Sequence, residues 1–561
     1  MIIGEATWPY RKKNNLTCTP IIHPIHRLND CMIQPDANGI YHPATETDVI
    51  DLIQLANSQQ QRIRILSSGD SLRKLLQPVP SDSPADSPIG RTILVQLNLF
   101  RKVEINEQNG LLTVGAGINL GFDPYDPSET SEENDANNLY YQLQQKGWAI
   151  ANVPASLHQS VSGFLVTGSS GGTLQHSFEE AIQSIRLIDG TGKVNTYSRS
   201  NNPDDPFFAV LVSLGLLGII TEITLQCVPA FEIRGREDIT DVSCSPYQFT
   251  SLVNDGRPGL QEFLTKTEYA RILWWPYSTL HRVVTWQAKS VTFQPTATEN
   301  SVTPTKTYQP YQPPFPKIAG LTLPSQFIAS SAFQLIATWP NWFYDLTGNP
   351  SNEASTLNLD KLKPVIEWIF PYIYPVLTDQ FFPLNSPHHP PQEFYDLWLG
   401  SLPMDKVEFS NRLFDLEYTE LWFPIDKAQQ VISVLNQFYT AGGYAATGYY
   451  CVEIMAGKQT SSWMSPAYRC DSIRVNIKLF RNSAREPRNF FAQFWDLFAE
   501  NNLPFRLHWS FDLPDPASRA GVNYLKNQYP KWNDFMQLRK EMDPDDLFLT
   551  DYWKSQLGIE A

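Results

Sequence analysis

Asn152–Val194 reads NVPASLHQSVSGFLVTGSSGGTLQHSFEEAIQSIRLIDGTGKV, with SLGLLGIITEITLQCVP following over Ser213–Pro229. Gly168, Gly171 and Gly172 are interleaved with Thr167, Ser169, Ser170 and Thr173, which leaves backbone N–H groups and small hydroxyls able to approach a pyrophosphate. Larger side chains would block that approach. On its own a Gly/Ser run also reads as a flexible loop between strands. What comes next narrows the choice. Ala181–Ile188 alternates, Asp189-Gly190-Thr191-Gly192 turns the chain, and Val194–Tyr197 resumes, the pattern of a β-hairpin with a Gly-rich turn.

Upstream, Thr45-Glu46-Thr47 opens a helix that Thr45 or Thr47 can cap, with Val49, Ile50, Ile53 and Leu55 on its apolar face. Arg62–Leu66 alternates as a strand and runs into Ser67-Ser68-Gly69-Asp70-Ser71, a second small-residue clamp for the same ligand. Asp70 can equally cap a helix beginning at Ser71. Ile93–Leu97, Lys102–Ile105 and Leu111–Gly115 read as successive strands. The acidic run Asp123–Asn138 reads as solvated surface, and a helix over Leu139–Lys146 stops at Gly147, a residue suited to the position just past a helix end.

At 561 residues the chain exceeds what one core usually supports, so two domains are expected. A net charge of −15 argues against nucleic acid or an anionic membrane as partner, because like charges repel. The opening MIIGEATWPYRKK lacks the apolar core of a signal peptide, which suggests a cytoplasmic protein. No apolar run approaches the ~20 residues of a membrane helix, so no transmembrane segment is expected. The best candidate, FIASSAFQLIATWPNWF, is broken by polar residues and Pro340. The six cysteines show no C-x-x-C spacing and read as free thiols rather than metal ligands or a disulfide framework. His388-His389 lies in a Pro-rich loop without further ligands at metal spacing, so no metal is expected. Neither a Walker loop nor a dinucleotide-type G-x-G-x-x-G turn occurs.

The HQSVSG phrase at His158–Gly163, the small-residue turn at Thr167–Gly172 and the strand pair closing on Asp189-Gly190 resemble, in order and wording, the FAD domain of the vanillyl-alcohol oxidase superfamily. The branch of alditol and aldonolactone oxidases is the most similar. The likeness is strong in the N-terminal part and looser beyond it. It implies an α+β fold with a PCMH-type FAD-binding domain over 1–232. A cap domain over 233–529, a large antiparallel sheet flanked by helices, would follow where the sequence turns aromatic- and Pro-rich. A C-terminal segment over 530–561 would return to the FAD domain. The resemblance places Ile65, Leu66, Ser67, Ser68, Gly69, Asp70, Ser71, Ser160, Gly163, Thr167, Gly168, Ser169, Ser170, Ile219 and Ile220 against FAD. Relatives bond the flavin ring covalently to a histidine in the slot that Asp70 fills here. Noncovalent FAD is therefore expected, with an aspartyl ester left open.

Oxidising an alcohol with a flavin needs a destination for the hydroxyl proton, a hydride path and positive charge beside the reduced ring. The family's Glu-x-Arg strand appears here as Glu453-Ile454-Met455, and its His-Trp-Gly-Lys stretch as His508-Trp509-Ser510-Phe511. Both family cations are thus replaced by apolar residues, with Arg506, Lys478 or a helix N-terminus as substitutes. After SPAY at Ser465–Tyr468, strand alternation puts Arg474, Asn476 and Lys478 on one face. The resemblance makes Glu453 the group that orients or deprotonates the hydroxyl, Asn476 the group that fixes it, and His508 a third catalytic candidate. The alternatives are an ion-paired carboxylate, a sheet hydrogen-bonder and a satisfied core histidine.

Met455, Phe511 and the Trp274–Tyr277 segment, whose surroundings loosely resemble flavin cholesterol oxidases, suggest a bulky, hydrophobic small-molecule substrate. The expected activity is oxidation of a C–OH group by hydride transfer to FAD, with molecular oxygen or another electron acceptor. A flavin-dependent dehydrogenase, a biosynthetic cyclase or desaturase, and a degenerate ligand-binding protein are the competing readings.

Overall fold

The computed structural model describes residues 33–67, 92–121, 137–154, 157–253, 255–277, 280–292, 309–311, 317–318, 321–322, 372, 375–376, 378–379, 382–400, 416–448, 451–480 and 486–559. The fold is α+β and contains three principal sheets. The helix Glu46–Gln59 begins where the Thr45 side chain accepts from the Asp48 N–H while the Asp48 carboxylate accepts from the Thr45 N–H. Val49, Leu52, Ile53 and Ala56, spaced by helical turns, are buried against the sheets, and Gln60 ends the helix in the left-handed region. Next, Arg62–Leu66 pairs in parallel with Thr92–Gln96, which also pairs with Ile40–Tyr41.

A five-stranded antiparallel sheet follows, in the order Val103–Asn106, Leu111–Gly115, Ile219–Gln226, Ile182–Ile188, Val194–Ser198. The expected hairpin is its edge. The Asp189 carboxylate accepts from the N–H groups of Thr191 and Lys193 and from the Thr191 hydroxyl, while Gly192 takes φ +81, which closes the turn. The helix Leu139–Gln145 is capped by Asn138 and followed by Gly147 at φ +74. The C-terminal helices fold back onto these N-terminal sheets. The Leu547 carbonyl accepts from the Ile63 N–H, the Met542 carbonyl accepts from the Gly190 N–H, and Arg62 pairs with Asp551 at 2.6 Å.

The third sheet has eight strands, ordered Gln392–Leu397, Phe231–Asp241, Leu280–Thr292, Tyr269–Tyr277, Val452–Gly457, Ser472–Phe480, Leu416–Pro424, Arg506–Leu507. All its pairings are antiparallel. Alternation gives it two unlike faces. On one, Trp274, Val475, Ile477, Ile454 and Phe423 pack under the helices Ala428–Gly442 and Pro487–Glu500, with Trp274 edge-on to Tyr439 and Phe423 edge-on to Phe498. The other face is polar, and it too is buried.

Among the described residues no helix is long and apolar enough to cross a membrane, and no cluster of His, Cys, Asp or Glu has the geometry to hold a metal ion.

Candidate active site

Cross-strand register fixes the polar face. Glu420, Asn476, Glu453 and Leu273 lie in one row, and Trp422, Arg474, Met455, Arg271, Trp286 and Glu237 in the next. Lys478 follows Asn476 on the same side of its strand, as the alternation of RVNIK requires. Glu453 is 3 % exposed, and its two oxygens face two buried cations: Arg271 Nε at 2.7 Å from Oε1 and Lys478 Nζ at 2.9 Å from Oε2. Burial pushes the Glu453 carboxyl up, but Lys478 and Arg271 outweigh it and hold the group down at about 2. Glu453 therefore stays ionised at neutral pH and is a weak proton acceptor. Of the two expected roles, orienting or deprotonating a hydroxyl, the low value favours the first.

Arg271 supplies what sequence reasoning missed. It sits in the otherwise apolar strand YARILWWPY, where a fully buried guanidinium must have a carboxylate partner. Together Arg271 and Lys478 place two positive charges against one negative at the position where family-type cations at 455 and 511 are absent. Arg506, offered as a substitute, is used elsewhere: its guanidinium donates to the backbone carbonyls of Gln528, Pro466 and Tyr468 and lies over the Tyr529 ring. Met455 is buried on the polar face, while Phe511 stacks on His508 at 4.5 Å.

Asn476 is 7 % exposed, and its amide oxygen has no hydrogen-bond partner among the described residues. An orphaned buried acceptor costs about 1–3 kcal/mol, so this atom is positioned for a donor from a ligand rather than for the sheet. The expectation of a sheet hydrogen-bonder fails at that oxygen.

The polar face meets the N-terminal domain through the glycine turn. Arg474 Nη1 donates to the carbonyls of Ser170 (2.7 Å) and Gly171 (2.9 Å), while its other nitrogens reach Glu420 at 3.2–3.3 Å. Glu420 also accepts from the Trp422 indole, and Arg474 lies over that ring. Asn152 grips the turn from behind by accepting from the Gly171 N–H. A Cβ on Gly171 would stand 2.3 Å from the Val153 carbonyl oxygen, so the position requires glycine. His508 bridges the domains: its Nε2 is 2.9 Å from Ser169 Oγ, its Nδ1 is 2.9 Å from Ser510 Oγ, and Ser169 Oγ is 2.9 Å from Thr167 Oγ1. Burial pulls the imidazole down to about 4, so His508 is neutral with both ring nitrogens engaged.

Ser67, the described residue of the Ser67–Ser71 clamp, meets Ser160 of the HQSVSG segment. Ser67 Oγ and Ser160 Oγ are 2.7 Å apart, and Ser160 caps the Gly163 N–H. A Cβ on Gly163 would lie 2.6 Å from Ser67 Oγ, so the absence of that side chain opens the backbone there. Gly168 has φ +73 beside Pro466 of the SPAY segment. Ile65 and Leu66 are half-buried on their strand. Ile219 and Ile220 pair with Ile188 and Leu187, and their side chains are buried in the core, which leaves their backbone to serve a cofactor. Ser68, Gly69, Asp70 and Ser71 lie outside the described residues, and with them the covalent or noncovalent question.

A glycine-lined turn with convergent hydroxyls stands opposite a sheet whose charged face is buried, an architecture of the PCMH FAD-binding type. The same architecture is found in a cholesterol oxidase of Brevibacterium sterolicum, which superposes with a TM-score of 0.66 over 96% of this chain and 100% of that one at 15% identity. Within that class, residues 403–556 match the family model described as ALO, D-arabinono-1,4-lactone oxidase. The L-gulonolactone oxidase of Scyliorhinus torazame is 23% identical over 91% of this chain and 93% of its own length. The D-arabinono-1,4-lactone oxidase of Kluyveromyces lactis is 26% identical over 44% of this chain and 40% of its own. The chain is thus similar to aldonolactone oxidases in sequence and to a cholesterol oxidase in fold.

Proposed function

We propose that this protein is an FAD-dependent oxidase of a CH–OH group on a sugar lactone, with oxygen as electron acceptor. The observation that carries the reading is the buried Arg271–Glu453–Lys478 cluster beside the Asn476 oxygen, which has no partner among the described residues, on the same sheet face whose Arg474 holds the glycine turn. A surface of charges and amide groups matches the hydroxyls of a polyol. Its charged groups favour a sugar over the expected bulky apolar substrate, although Met455 and Leu273 share the face. The full-length match to L-gulonolactone oxidase points the same way.

Ser67, Ser160, Gly163, Thr167, Gly168, Ser169 and Ser170 would hold the diphosphate and ring edge of FAD, with Ser68–Ser71 completing the clamp. When bound, FAD supplies the acceptor for hydride from the substrate carbon. Asn476 accepts a hydroxyl proton in a hydrogen bond and fixes the sugar ring. Glu453 orients Arg271 and Lys478, whose positive charges would favour the negative charge gained on two-electron reduction. His508, neutral and bonded to Ser169, holds the glycine turn against the cap sheet.

The test is anaerobic mixing of the yellow protein with aldonolactones and, separately, with a sterol. Bleaching of the flavin by lactone and not by sterol is expected. Bleaching by sterol alone would refute the substrate assignment, and a folded protein that takes up no FAD would refute the reading altogether.

A further inference from the structure

Four consecutive carbonyls of the glycine turn, from Ser170 to Thr173, are held by the eight-stranded sheet. Arg474 Nη1 donates to those of Ser170 and Gly171, the Ala270 N–H to Gly172 at 2.9 Å, and the Lys458 N–H to Thr173 at 3.1 Å. The donors lie on, or directly follow, three neighbouring strands, Tyr269–Tyr277, Val452–Gly457 and Ser472–Phe480. In a trans peptide the N–H points opposite the C=O, so carbonyls drawn toward the sheet turn the N–H groups of Gly171, Gly172 and Thr173 away from it. Asn152 accepts from the first of these. Two of the sheet's donors are backbone groups, and Arg474 is the side chain among them.

We propose that Arg474 is a positioning residue for the cofactor, through which the cap sheet sets the shape of the turn that receives FAD. The inference rests on the reading of that turn as part of the FAD clamp. Gly171 and Gly172 are adjacent, and two glycines in a row give a loop its widest conformational freedom. Ordering them only as FAD arrives would weaken binding, whereas a turn already ordered binds without that loss. Arg474 does the ordering because it is itself fixed. Its other nitrogens reach Glu420 at 3.2–3.3 Å, and its plane lies over the Trp422 ring. Gly457 makes the space for both: a Cβ there would stand 2.5 Å from the Trp422 ring and 3.2 Å from Arg474 Cδ. Asn476 is two residues further along the same strand face, and Glu420 is its partner across the sheet. The group proposed to fix the sugar and the group that fixes the flavin's turn thus share one frame.

Titration of the full-length apoprotein with FAD, followed by quenching of flavin fluorescence, tests this, with the urea midpoint of each apoprotein measured beside it. Arg474→Met removes both donations to the turn, and the dissociation constant for FAD should rise about 100-fold. Arg474→Lys keeps the cation and one donor but loses the fork, and should bind FAD about tenfold more tightly than Arg474→Met. Because Arg474→Met leaves the Glu420 carboxylate buried without its cation, the double variant Glu420→Gln/Arg474→Gln, which buries no lone charge, carries the test should the single variant fail to fold. It should show the same weakening as Arg474→Met. Folded variants that bind FAD as tightly as the parent, with only the urea midpoint lowered, would overturn the inference and leave the FAD reading standing. A folded parent protein that takes up no FAD would overturn both.

Discussion

The two faces of the eight-stranded sheet are made by the same strands, residue by residue in alternation, yet they solve opposite problems. Ile454, Val475 and Ile272 are buried on the apolar side of the sheet. Glu453, Arg474 and Arg271, their immediate chain neighbours, are equally buried but charged. Burying a charge is costly unless it is paired and hydrogen-bonded, and each of these is: Arg271 and Lys478 with Glu453, Arg474 with Glu420 and the glycine turn. The apolar face holds the fold together. The polar face, sealed by the N-terminal domain, is where a polar ligand and a change of charge can be accommodated.

Substitutions on the two faces should therefore separate stability from chemistry. Glu453→Gln removes the anion that orders two cations, and flavin reduction by substrate should slow by about 10³-fold with FAD still bound, read by anaerobic stopped flow. Unchanged kinetics would remove Glu453 from the scheme. Ile454→Ala, one residue along and on the other face, should cost about 3 kcal/mol of stability by opening a cavity while leaving the rate per bound flavin intact. Urea unfolding and the same stopped-flow assay read the two effects.

His508 at the seam gives a smaller, pH-dependent effect. Its folded-state value near 4 lies below the usual imidazole range. The stabilisation is therefore complete at neutral pH and is lost as pH falls from about 6.5 toward 4, where the unfolded chain takes up the proton first. His508→Gln should flatten that acid loss, by an amount on the order of 1 kcal/mol, in urea midpoints measured above and below the window. At the bottom of the scale, the exposed pair Lys102–Glu104, 2.8 Å apart, sharpens the contrast with the buried cluster. Lys102→Met should leave the urea midpoint unmoved, and a shifted midpoint would mean that ion pairs here are not graded by burial.

The N-terminal half of this picture was legible because its signals are local. The Thr45 cap, the turn at Asp189–Gly192 and the glycines at 163, 168 and 171 each announce a backbone geometry within a few residues. The alternation of Arg474, Asn476 and Lys478 was equally readable. What the chain order conceals is partnership across strands. Arg271 meets Glu453 although they are far apart in sequence, and an arginine among aromatic residues looks from sequence like part of an apolar segment. For the same reason Met455 and Phe511 suggested an apolar cavity, when the cations had moved to a neighbouring strand and one turn along another. Ile219 and Ile220 show the converse, residues next to a conspicuous glycine motif whose side chains simply fill the core.

The central claim is that Arg271 and Lys478 supply the positive charge that the flavin needs on reduction. The midpoint potential of bound FAD in Lys478→Met, compared with the parent at one pH, tests it most directly. The account predicts a more negative potential, a flavin harder to reduce. An identical potential in the two proteins, with FAD bound in both, would contradict it.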